Sequence, residues 1–190
     1  MASGISVNDI KGNAPDDQKQ MCINVLDFYA ELKDHFAYSV GKRLRIEEVS
    51  EGDVVNGKSR SLVVCTIVVK EGNWSIDMLN LLGTMHGGCA AYLIDLCTSI
   101  AIAVRPKGAK PSEDWWGKVA VSQALSVVYH SPARVGSTLR IISETIVAGG
   151  RIGTIRCEAS SIIWDSTKNV LVATGTHTKM PLRNMAIGKL

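Results

Sequence analysis

Apolar residues fill almost every position from Cys89 to Val104, interrupted by a single charge, Asp95. The stretch holds neither Gly nor Pro and is rich in Ala and Leu, so it reads as a helix of about four turns. It is apolar on nearly every face, which means that other structure wraps it. An earlier helical pattern begins at Pro15-Asp16-Asp17, with Pro and acids in its first turn. There Cys22, Val25, Leu26, Tyr29, Leu32 and Phe36 recur at three- and four-residue spacing, and the helix is expected to end near Gly41. Residues 1–14, small and polar, are expected to be loose.

Between and after these helices the period changes to two. From Lys42 to Lys70, Leu44 and Ile46 alternate with Arg43, Arg45 and Glu47, and Ser61 to Val69 is strongly β-prone. Asn56-Gly57 marks a hairpin turn between these strands. After Val104 an irregular loop over 105–117 carries Trp115-Trp116, which either lids a pocket or anchors the loop. Four further strands are predicted at about 118–130, 137–147, 152–164 and 170–179. In the third of them Ile155, Cys157 and Ala159 alternate with Arg156, Glu158 and Ser160, one face buried and one wet. The order predicts an α+β fold in which an antiparallel sheet of about six strands wraps a central hydrophobic helix. The expected organisation is a flexible segment and packing helix over 1–41, the wrapped domain over 42–182 and a short tail over 183–190.

The composition of the 190 residues, 46% hydrophobic and 21% charged, is that of an ordinary globular domain. No apolar run reaches membrane-spanning length, and the N-terminus lacks the basic and apolar blocks of a secretory signal. An intracellular, cytoplasmic location is expected, with mitochondrion and peroxisome as alternatives. Gly188-Lys189-Leu190 only distantly resembles a peroxisomal Ser-Lys-Leu ending. The five cysteines, Cys22, Cys65, Cys89, Cys97 and Cys157, lie in apolar segments without metal-ligand spacing and read as reduced core residues. His35, His86, His130 and His177 also lack ligand spacing, so no metal is expected. The net charge of +3 has no density suited to nucleic acid, though it suits a small anionic ligand.

Asp95 then needs an explanation, because an unpaired carboxylate inside an apolar helix is costly. One account has it bonded locally to Thr98 or Ser99, three and four residues on. The other looks to Gly87 and Gly88, which open the helix: their N–H groups sit at its positive end, bare of side chains, suited to an oxygen that becomes negative during a reaction. Gly87 and Asp95 are eight residues apart, roughly 12 Å along a helix. Two copies with antiparallel helices would bring the Asp95 of one near the Gly87 of the other.

Asn80-x-x-Gly83-Thr84-x-His86-Gly87-Gly88, with Asp95 seven residues further on, resembles the hotdog-fold acyl-CoA thioesterases. The likeness is to the PaaI-like branch and the thioesterase superfamily member group. Val121-Ser122, the run from Tyr129 to Gly136, Gly149-Gly150-Arg151 and Ala173-x-Gly175-x-His177-Thr178-Lys179 agree with it, so the resemblance spans about 60 to 180. It implies hydrolysis of acyl-CoA to free acid and coenzyme A. Asp95 would activate water, Asn80 would orient it, Gly87 would polarise the carbonyl, and Ser122 would hydrogen-bond within the site. His86 would support the turn. Coenzyme A, as part of the substrate, would contact Tyr129, His130, Ser131, Pro132, Ala133 and Arg134 on one side and Gly149, Gly150 and Arg151 on the other. No separate cofactor is implied, and the family's dimers, or dimers of dimers, have sites between protomers.

Three features depart from the pattern. Ala124 stands where many relatives carry an acid, the loop over 105–117 is longer, and the N-terminal helix is extra. Two alternatives use the same fold: an acyl-CoA-binding protein without catalysis, and a dehydratase of hydroxyacyl thioesters with a His–acid pair.

Overall fold

The computed structural model describes residues 4–31, 33, 36–55, 58–70, 78–104, 120–149 and 156–181. Helix α1 spans Asp16–Glu31, α2 Tyr38–Gly41 and α3 Gly87–Ala103. Six strands follow the predicted alternation: β1 Arg45–Val55, β2 Lys58–Val68, β3 Ala120–Tyr129, β4 Thr138–Gly149, β5 Arg156–Asp165 and β6 Val170–Pro181. They form one sheet in the order β1-β2-β4-β5-β6-β3, with every neighbouring pair antiparallel. The sheet curls around α3, the hotdog arrangement that the resemblance implies.

Burial of apolar surface explains the wrapping. Leu93, Ile94, Leu96, Cys97 and Ile100 of α3 are buried against Val63, Cys65 and Ile67 of β2, Leu139 and Ile141 of β4, and Ile163 of β5. Along these strands the residues that join this core fall two apart, as one face of a pleated sheet requires. On β6 the helix comes so close that a Cβ at Gly175 would lie 3.0 Å from Ile94 Cδ1 and from the Ser126 carbonyl oxygen.

The N-terminal region differs from its expected form. A single helix to Gly41 was expected; α1 instead ends at Glu31, Ala37 takes a left-handed conformation (φ 55°), and α2 starts afresh at Tyr38. Phe36 thus falls outside the helix and is exposed, its ring edge-on to Tyr92. Leu32 lies outside the described residues. The segment from Gly4 to Ala14 is packed rather than loose, because Ile5, Ile10 and Ala14 are buried. A 3-10 turn at Val7–Asp9 is capped by Ser6. Lys11 then pairs with β1, its N–H donating to the Glu47 carbonyl at 2.9 Å and its carbonyl accepting from the Val49 N–H at 3.0 Å. Gly12, at φ +97°, crosses β1 where any side chain would strike the Val49 carbonyl.

This strap covers one edge of the sheet. The other edge is β3, whose side chains are exposed along nearly the whole strand. Among the described residues no helix is long and apolar enough to cross a membrane. Asn56-Gly57, Trp115-Trp116, Gly150, Arg151 and the 183–190 tail lie outside the described residues.

Candidate active site

The start of α3 is built by a self-bonded turn. Asn80 Oδ1 accepts the Leu82 and Thr84 N–H groups at 2.9 and 3.1 Å, and its amide nitrogen donates to Thr84 Oγ1 at 2.9 Å. Gly83, at φ +71°, completes the turn. The chain is then held from both sides: the Met85 N–H donates to the Ala133 carbonyl and the His86 N–H to the Met78 carbonyl, each at 2.7 Å. His86 is the N-cap of α3, its Nδ1 accepting the Gly88 N–H at 2.9 Å. That leaves Gly87, the first helical residue, whose N–H makes no hydrogen bond among the described residues. An unpaired donor at the positive end of a helix is a binding point for a negative oxygen.

Gly87 opens into a cleft of about 350 Å³ lined by Asn80, Met85, Gly87, Ala90, Tyr129, His130, Ser131, Pro132, Ala133 and Val172. The Tyr129 hydroxyl donates to the Gly87 carbonyl at 3.0 Å. A Cβ at Gly87 would sit 3.2 Å from the Tyr129 ring and hydroxyl, so glycine gives the ring its place. His130 and Ser131 are held by backbone bonds to the Val172 carbonyl. Arg134 pairs through its backbone with Thr84 and is exposed.

Asp95 lies further along α3, roughly 12 Å from Gly87 at 1.5 Å per residue, and does not line that cleft. Its Oδ1 accepts the Ser122 hydroxyl at 3.0 Å, lies 3.2 Å from His177 Nε2 and lies 4.0 Å from Lys179 Nζ. A register shift between Ser122 and Ala124, where Gln123 is the extra residue of β3, bends the strand beside Ser122. The carboxylate is partly exposed and is not bonded to its own helix, so the local account does not explain it. Its side chain is 35% exposed, and the Thr98 and Ser99 hydroxyls bond instead to its backbone carbonyl, at 3.1 and 2.6 Å. Both hydroxyls face back along the helix toward carbonyls one turn earlier, which places them out of line with the carboxylate.

His177 and Lys179 were not among the expected site residues, although both are buried, at 0% and 5% exposure. Burial lowers the His177 pKa, the neighbouring Lys179 lowers it further, and Asp95 works against both. The imidazole is therefore neutral at pH 7. Burial raises the Tyr29 pKa, and the charge of Asp95 adds to it. Tyr92 is pushed up to about 12, first by burial. The sequence held a signal for His177 and Lys179. Ala173, Gly175, His177 and Lys179 share one face of β6, and the two small residues mark that face as the inner one. A buried His and Lys need an acid, and α3 carries just one.

The fold thus gathers Asn80, Gly87, Tyr129, His130, Ser131, Pro132 and Ala133 at one cleft, and Asp95 with Ser122 at a second cluster. Gly149 closes β4 opposite Arg156, away from both by sequence position. Among the described residues no group of three or more His, Cys, Asp or Glu could hold a metal ion.

The sequence profile of the thioesterase superfamily matches residues 82–162, a stretch that includes Gly87, Asp95, Ser122 and the run from Tyr129 to Arg134. Over that stretch the chain resembles the thioesterase superfamily. Its similarity to acyl-coenzyme A thioesterase 13 of Mus musculus is 29% identity over 117 residues, 62% of this chain and 71% of that one. Among solved structures, zebra fish thioesterase superfamily member 2 superposes with a TM-score of 0.61 at 22% identity, covering 85% of this chain and 98% of that one. The PaaI protein of the E. coli phenylacetic acid degradation operon superposes at 0.57 with 17% identity, covering 87% and 96%. At these identities the two superpositions speak for the fold. The profile begins after Asn80, so that residue rests on the turn geometry alone.

Proposed function

We propose that the protein hydrolyses acyl-coenzyme A thioesters to a free acid and coenzyme A. The observation that carries this reading is Gly87, a cleft-lining residue whose N–H is unpaired among the described residues, in a chain similar to a protein named acyl-coenzyme A thioesterase. A thioester needs a donor for its developing oxyanion and a base for water. Gly87 serves as the donor. Asp95 is the base, with Ser122 fixing its Oδ1. Asn80, rigid in its turn, borders the carbonyl site. Coenzyme A lies along the segment from Tyr129 to Arg134; it arrives with the substrate, and no other cofactor enters the chemistry. His86 is occupied as a helix cap; the His–acid pair here is His177 with Asp95, and free thiol release against enoyl formation separates hydrolysis from dehydration.

Within one chain Asp95 and Gly87 are too far apart for one thioester carbonyl, so the site is assembled from two copies: the cleft of one and the Asp95 of the other. The open β3 edge supports this reading. Its apolar Val121, Leu125, Val128 and Tyr129 are exposed in the single chain, whereas the strap covers the β1 edge. The test is thiol release from short, long and aromatic acyl-CoAs, with mass measured by sedimentation. Turnover by a dimer or tetramer is expected; absence of release from every substrate, or a monomer with full turnover, contradicts it.

A further inference from the structure

The protons around His177 can be counted from its contacts. Thr98 Oγ1 lies 2.6 Å from the Ile94 carbonyl oxygen and 3.1 Å from that of Asp95. Two oxygens as close as the first pair need a proton between them, and a carbonyl has none, so the hydroxyl proton of Thr98 points to Ile94. The 2.7 Å contact between Thr98 Oγ1 and His177 Nδ1 is then made by the ring's own N–H. A neutral imidazole carries one N–H, so Nε2 is bare.

Bare Nε2 faces a triangle. It lies 3.0 Å from Ser122 Oγ and 3.2 Å from Asp95 Oδ1, and those two oxygens are themselves 3.0 Å apart. With Asp95 ionised, Ser122 brings the one proton available to the three edges. Wherever it points, the edge between imidazole and carboxylate holds two facing lone pairs. The triangle is one proton short.

Resting on the hydrolase reading above, we propose that His177 stores the proton of the attacking water, taking it through Asp95 and returning it to the departing coenzyme A sulfur. As the water oxygen bonds to the thioester carbon, its O–H bond breaks and the proton passes to the Asp95 carboxylate, then to Nε2. The carbonyl π pair moves onto the oxygen held by the Gly87 N–H. When the tetrahedral intermediate collapses, the C–S bond breaks, its electron pair stays on sulfur, and the proton returns from Nε2 through Asp95 to that sulfur. No further reactant is consumed. The imidazolium, once formed, donates to Asp95 Oδ1 and fills the empty edge.

Lys179 makes the storage brief. Its ammonium donates to Ser99 Oγ at 2.7 Å and stands 4.0 Å from Asp95 Oδ1, so a second cation at His177 is disfavoured and gives its proton back. The charged and titratable groups facing the cluster, among the described side chains, are Asp95 and Tyr92 from α3, Lys179 from β6 and Tyr29 from α1. β3 contributes the uncharged Ser122. Acting through Asp95, His177 is a positioning residue.

The experiment is nitrogen NMR on the whole protein labelled at histidine, at pH 7.5, with the kcat–pH profile beside it. His177 is expected to carry its proton on Nδ1, and Thr98→Val to move it toward Nε2. His177→Gln keeps an acceptor for Ser122 but cannot hold a proton. It should lower kcat about a hundredfold with KM changed less than about twofold, and remove the imidazole's part of the acid limb of the kcat–pH profile. A native ring protonated on Nε2, or His177→Gln with native kcat, overturns the proposal. Absence of hydrolysis on every acyl-CoA overturns the hydrolase reading and the proton transfer with it. The tautomer, read without turnover, tells the two failures apart.

Discussion

The Tyr129 hydroxyl donates a hydrogen bond to the carbonyl of Gly87 at 3.0 Å, locking the β3 terminus onto the first turn of α3. The same glycine lines the cleft and leaves its N–H unpaired among the described residues, so one residue is gripped through its carbonyl and free at its amide.

That division of labour can be separated by two substitutions. Gly87→Pro removes the N–H while keeping the helix, because proline is favoured at the first helical position and His86, at ψ 138°, already has the extended conformation that a following proline requires. Its Cβ crowds Tyr129 as any side chain there does, but the lost N–H should add a fall in kcat of about 10²–10³-fold, the usual cost of one oxyanion donor. Gly87→Ala keeps the N–H but crowds Tyr129 at 3.2 Å, so KM should rise more than kcat falls. Steady-state kinetics of both variants checks the split; equal losses of kcat would contradict it.

The neutral, buried His177 makes stability depend on pH. Its folded pKa lies below the unfolded value of 6.5, so the unfolded chain binds the proton first. The stabilisation is complete above about pH 6.5 and falls as pH drops below it, by at most about 1.4 kcal/mol per pH unit. Urea unfolding at pH 7 and pH 5 should show the native protein losing stability over this window and His177→Gln losing less. Asp165 does not confound the comparison: its pKa is lowered from 3.8, burial working against the Ser137, Lys168 and Thr167 hydrogen bonds that win, and it titrates below the window.

Much of this was legible in the sequence because strands and helices leave different periods. The alternations from Leu44 to Val69 and after residue 118 placed all six strands, and the unbroken apolar run placed α3. The strap was not legible, since Ile5, Ile10 and Ala14 are isolated apolar residues with no period, and their burial depends on a β1 edge distant in sequence. The break after Glu31 was hidden because the apolar spacing runs on through Leu32 and Phe36, and a left-handed Ala37 has no sequence mark. At the site, the Asn80 turn, Gly87 and Asp95 follow from local spacing, whereas His177 and Lys179 reach Asp95 only once β6 folds against α3.

The exposed edge strand carries a prediction about assembly. Leu125→Lys puts a charge on the apolar outer strand, and like charges facing each other across a two-fold interface repel. Sedimentation should show a shift toward monomer, and activity should fall in step with the dimer fraction. A native-sized Leu125→Lys protein would place the interface elsewhere.

The central claim is that Asp95 of one copy acts on a thioester held at Gly87 of another, and mixing two inactive variants tests it most directly. Asp95→Asn and Gly87→Pro proteins, each with kcat reduced by about 10²-fold or more, are combined and allowed to exchange subunits. Each mixed dimer then contains one site with both defects and one site with neither. Thiol release from the exchanged mixture should climb to about a quarter of native activity, as random pairing of two subunits requires. A mixture that stays at the level of its inactive parents, with exchange verified by mass, would contradict a shared site.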